Sequence, residues 1–119
     1  MSKFTKKSTE KAMFIDVVNQ KTRIIDYPKT REEMKKLLGF EVLEFVRIGD
    51  NKRIIVDEMA RLKPKKEIKG WFVMGFEQVI LNNALVYCVS PDGKVAGDEC
   101  INHLLAGRQF IEFGDLKDL

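Results

Sequence analysis

Residues 13–18 are apolar but for Asp16 and divide between two sides, with Met13, Ile15 and Val17 on one and Phe14, Asp16 and Val18 on the other. That is the two-residue period of a strand. Asn19-Gln20-Lys21 reads as a polar turn, and residues 22–27 form a second short run centred on Ile24 and Ile25. Two such runs so close together predict a hairpin. After Pro28 the period changes. Thr30-Arg31-Glu32-Glu33 is a capping box, in which the Thr30 hydroxyl accepts from the Glu33 amide and the Glu33 side chain reaches back to the Thr30 amide. Met34, Leu37 and Leu38 follow at helical spacing, Lys35 and Lys36 suit the negative end of the helix dipole, and Gly39 stops the helix.

Residues 40–48 and 53–56 read as strands around a Gly49-Asp50-Asn51-Lys52 turn, a second hairpin. Residues 71–76 divide between two sides again. Residues 84–89 are unbroken apolar, the signature of a strand covered on both faces. Ser90-Pro91-Asp92-Gly93 has turn chemistry, and residues 94–96 are placed to pair back briefly. Asp98 is the expected N-cap of a helix over residues 99–106, with Ile101, Leu104 and Leu105 on one face and Gly107 as its stop. The order strand, strand, helix, strand, strand, loop, strand, strand, helix predicts an α+β fold: a mainly antiparallel sheet of five to seven strands with two short helices packed on it.

With 119 residues the chain fits one domain, residues 1–119. Residues 1–10 read as a flexible basic tail and 114–119 as an acidic one. The apolar and charged shares, 45% and 33%, permit an ordinary core. Net charge is only +3, too slight to imply nucleic acid by itself. No apolar stretch approaches the ~20 residues of a membrane span, so no membrane partner is expected. Cys88 and Cys100 belong to no Cys-x-x-Cys pair and read as two reduced, buried thiols, which with the missing targeting run points to the cytoplasm.

The charge that matters is local. Between two strand-like runs, residues 61–71 hold Arg61, Lys63, Lys65, Lys66 and Lys69 against Glu67, and end on Trp71, the one tryptophan. Ammonium groups act as point charges toward phosphates. An indole ring offers a stacking face for a base. Arg61, Lys63, Lys65, Lys66, Lys69 and Trp71 are therefore the candidate ligand-binding residues. The bland reading is a solvated connection followed by a core tryptophan. Other chemistry is thinner. Cys100 and His103 lie three apart on the last helix with no third group to orient them. Asp57 and Glu58 adjoin the basic loop and are candidate carboxylates for a divalent cation. No phosphate-loop or dinucleotide fingerprint is present. No catalytic residue, metal site or cofactor is assigned.

The succession Ile24-Ile25-Asp26-Tyr27 before a short helix, Ile55-Val56-Asp57-Glu58 before Leu62-Lys63-Pro64, and Ile80-Leu81-Asn82-Asn83-Ala84-Leu85-Val86 before Ser90-Pro91-Asp92-Gly93 and a closing helix resembles a domain family of bacteriophages, plasmids and their host bacteria, domain of unknown function 3846. Lys63-Pro64-Lys65-Lys66 stands where that family tends to carry a small loop ending in asparagine, and Asn82-Asn83 where a glycine is usual. The resemblance implies no catalytic residues. It implies a phage or mobile-element accessory protein, non-enzymatic, working in the host cytoplasm. Such a protein acts by binding a host factor or a small phosphorylated, nucleotide-like ligand, sequestering a host defence signal. The alternatives are a nucleic-acid-binding accessory protein and a small enzyme with a site near Cys100 and His103. Phe110 and Phe113 are candidates for burial between copies of a homo-oligomer.

Overall fold

The computed structural model describes residues 10–75 and 78–118. Eight strands and two α-helices follow in the order β1 (Lys11–Asp16), β2 (Lys21–Asp26), α1 (Arg31–Leu38), β3 (Leu43–Arg47), β4 (Lys52–Asp57), β5 (Trp71–Met74), β6 (Val79–Leu81), β7 (Ala84–Cys88), α2 (Ile101–Gly107) and β8 (Ile111–Gly114). The fold is α+β and every strand pairing is antiparallel, in two sheets: a five-stranded one ordered β2-β1-β7-β4-β3 and a three-stranded one ordered β6-β5-β8. The expected basic tail lies outside the described residues apart from Glu10, as does Phe76 at the end of the expected 71–76 strand.

Both expected hairpins form, β1 with β2 and β3 with β4. At the first turn the Asp16 carboxylate accepts from the Val18 and Asn19 amides and from the Asn19 side chain. Burial would raise the Asp16 pKa, but these bonds, with Arg23 nearby, hold it below the usual carboxylate range. The Thr30 cap accepts from the Glu33 amide at 3.0 Å, while the Glu33 carboxylate takes the Lys29 amide rather than that of Thr30, one residue earlier than the capping box predicts. Gly39 closes α1 at φ 87, donating to the Lys35 carbonyl.

β7 lies mid-sheet, and all five of its residues are buried. One sheet face packs Phe14, Leu85 and Ile55 against Met34 and Leu38 of α1. The other packs Met13, Ile15, Ile54 and Val86 against Phe72 of β5 and Leu104 of α2, with Phe113 of β8 beside them. Burying a phenylalanine such as Phe72 stabilises by roughly 2–3 kcal/mol, so this second layer is what fixes the small sheet to the large one. Residues 94–96 do return to pair: Val95 bridges Val89, and the Ala96 amide donates to the Cys88 carbonyl.

Three expectations fail here. Gly107 does not stop α2: it is the last residue of that helix, in right-handed helical conformation, and the chain continues into a 3-10 turn over Arg108–Phe110. Asp98 caps nothing: Asp98–Cys100 is a 3-10 turn, and α2 starts from Cys100 without a side-chain cap. Cys88 and Cys100 are not separate thiols. β7 and the 3-10 turn bring their Cα atoms to 6.3 Å and the sulfurs are joined in a disulfide.

Candidate functional site

The basic loop leaves β4 at Asp57 and enters β5 at Trp71, and a buried polar pair holds both ends. Asp57 has a side chain 1% exposed. Its Oδ1 accepts from the Met59 amide at 3.0 Å, and its Oδ2 accepts from Lys63 Nζ at 2.6 Å and from Asn82 Nδ2 at 3.0 Å. Asn82 sits between β6 and β7 at φ 70, a left-handed conformation that asparagine tolerates better than most side chains. Its amide donates to the Gly70 carbonyl at 2.8 Å, and its Oδ1 accepts from the Lys69 amide at 2.7 Å. Asp57 thus grips the start of the loop and Asn82 its end, and the two bond each other.

Asn83 extends the brace, accepting from the Val17 amide and donating to the Leu38 carbonyl at the end of α1. Between the grips the chain makes two 3-10 turns, Ala60–Leu62 and Lys65–Glu67, split by Pro64. Gly70 passes so close to β1 that an added Cβ would stand 3.0 Å from that of Val17.

Against this frame the expected binding residues separate. Lys63 turns inward: its ammonium pairs with Asp57 and lies 5.9 Å from the centre of the Phe40 ring. Trp71 is half-buried. Its ring packs directly on Gly114, its partner across the β5–β8 ladder, and its Nε1 donates to the Asp115 carbonyl at 2.8 Å. Arg61, Lys65, Lys66 and Lys69 are exposed. Arg61 lines a shallow groove with Gln78, Val79 and Leu81 of the β6 edge. Between Arg61 and Lys63 stands Leu62, 77% exposed and the most exposed large apolar side chain among the described residues. Four cations and one apolar side chain therefore face outward from a braced loop, while Lys63 and the indole serve packing.

The other candidate centres dissolve. Asp57 is buried and occupied by three donors while Glu58 is exposed, so the two do not form a cation pair. Among the described residues no three His, Cys, Asp or Glu side chains gather as metal ligands would. The Cys100 sulfur is bonded to Cys88, which removes the nucleophile of a Cys–His pair, and His103 is exposed. No helix among the described residues is long and apolar enough to cross a membrane.

Sequence reasoning missed Asn82 and Leu62. The faint signal for Asn82 was an Asn-Asn pair directly before an unbroken apolar run, where a turn needing φ > 0 falls. For Leu62 it was an apolar residue isolated between cations. Comparison with protein families, curated proteins and solved structures returns no match.

Proposed function

We propose that the chain is a non-enzymatic binding protein of the accessory kind carried by phages and mobile elements, and that the braced loop is its docking element for an acidic face of a host protein. The observation that carries the reading is Leu62, exposed on a 3-10 turn between Arg61 and the lysines, on a loop held at its start by buried Asp57, paired with the partly exposed Lys63, and at its end by Asn82, which bonds Asp57. Burying an ion costs several kcal/mol of desolvation. A loop held this way keeps its shape before the partner arrives, which lowers the ordering cost of association. An apolar anchor ringed by cations suits a protein surface with a pocket and surrounding carboxylates. A nucleic-acid reading has less support, since the other arginines are scattered and the loop's centre is aliphatic rather than aromatic. Assembly into a homo-oligomer belongs to the same proposal. Phe113 packs beside Phe72 in the core, which leaves Phe110, 58% exposed, as its apolar contact.

The test is affinity purification from a bacterial host lysate with three forms: the unaltered chain, Leu62→Asp, and Lys66→Glu combined with Lys69→Glu. A specific partner is expected with the first and lost from both variants, with melting temperatures unchanged because all three side chains are exposed. Recovery of the same partner by both variants, or of none by the unaltered chain, overturns the proposal.

A further inference from the structure

On the opposite flank from the candidate loop's groove, the start of β2 and the end of α2 border an open, shallow depression of about 640 Å³, lined by Lys21, Thr22, Leu105, Ala106, Arg108, Gln109 and Phe113. Its volume lies within the roughly 300–1,000 Å³ of small-molecule sites. Among the described residues two cations line it and no carboxylate does. Asp16, opposite Lys21 in the β1–β2 ladder, is spent on Val18 and Asn19, and Asp115 accepts from Gln20. Lys21 and Arg108 themselves have no hydrogen bond or ion pair through their side chains among the described residues. Here two cations share one concavity.

The remaining lining divides by chemistry. Leu105, Ala106 and Phe113 supply apolar surface, while the Thr22 hydroxyl and Gln109 amide can each donate and accept. An arginine fork matches phosphate oxygens bidentately and a lysine adds a point charge, so the pair can neutralise a dianion. We infer that this depression binds a phosphorylated small molecule of the nucleoside monophosphate class, its phosphate on Lys21 and Arg108 and its flat body over Leu105, Ala106 and Phe113. The site is separate from the docking loop and does not depend on it.

The test is a titration of ¹⁵N-labelled protein with adenosine 5′-monophosphate, followed by amide chemical shifts, with adenosine and inorganic phosphate as parallel probes. The monophosphate is expected to move the amides of Thr22, Ala106 and Gln109. Arg108→Ala and Lys21→Ala should each weaken it roughly tenfold or more, the range of a lost charge-assisted bond, with Arg108→Lys between. Adenosine and phosphate should each bind at least tenfold more weakly than the monophosphate. The spectra of the variants also report whether they fold. The inference falls if millimolar monophosphate leaves those amides unmoved, if both alanine variants bind as tightly as the original, or if phosphate alone binds as well as the nucleotide. It falls too if Lys66→Ala abolishes binding, because the ligand would then sit on the basic loop.

Discussion

Replacing Asp57 by alanine removes one acceptor from three donors at once. The Asn82 amide, in a residue 4% exposed, loses its partner in the interior, and a buried donor left unmade costs about 1–3 kcal/mol. The Lys63 pair is worth less than a wholly buried one, because the Lys63 side chain is 25% exposed and swings into water once released. About 1–2 kcal/mol is a fair share for it. The Met59 amide adds little, since that residue is already part-exposed.

The sum is a loss of about 3 kcal/mol, a large part of the roughly 5–15 kcal/mol that holds a domain of this kind together. Asp57→Asn should fare no better despite its equal volume. Its amide can keep the bond from Met59, but its NH₂ group then meets Lys63 Nζ and Asn82 Nδ2, donor against donor. Glu58→Ala, one residue on and exposed, is the control and should move stability by no more than about 0.5 kcal/mol. Guanidinium unfolding of the four proteins measures all of this. If Asp57→Ala unfolds within about 1 kcal/mol of the original chain, the buried pair does not hold the loop and the reasoning fails.

Three further outcomes are expected. Gly114→Val should push the indole off its seat, since even a Cβ would stand 1.9 Å from the Trp71 ring; tryptophan emission should shift to the red, and an unchanged spectrum would contradict the packing. Because the folded-state pKa of Asp16 is depressed, its stabilisation is full above the ordinary carboxylate value of about 4 and is lost as pH falls through the lower folded value. Urea unfolding from pH 7 to 2 should therefore decline less steeply in Asp16→Asn, and identical slopes would refute the assignment. Alkylation of the denatured, unreduced protein should add no label to Cys88 or Cys100, whereas two labels would mean free thiols.

The local features of this fold were legible in the sequence, and those that depend on distant partners were not. The first hairpin, the Thr30 cap, the Gly39 stop and the buried run of β7 each rest on neighbours a few residues apart. The split into two sheets was hidden because β8 gains its ladder only from β5, with Trp71 opposite Gly114, and because β6 has only three residues. The expected Asp98 cap lost to a 3-10 turn that tightens the chain toward Cys100. As for the candidate site, the basic loop stands where composition put it, but charge alone could not say which cation would turn inward. Lys63 does so because Asp57 ends a buried strand and must be paired, and its second partner, Asn82, lies 25 residues away.

Hydrogen exchange of the loop amides tests the central claim most directly. The amides of Met59, Leu62, Lys63, Glu67, Ile68 and Lys69 all donate within the protein, two of them to Asp57 and Asn82 side chains. In the intact chain these six should exchange well below random-coil rates, and Asn82→Ala should release Lys69 and Ile68 first. Free exchange across residues 59–69 in the unaltered protein would mean the loop has no fixed shape to present, and the docking proposal would lose its foundation.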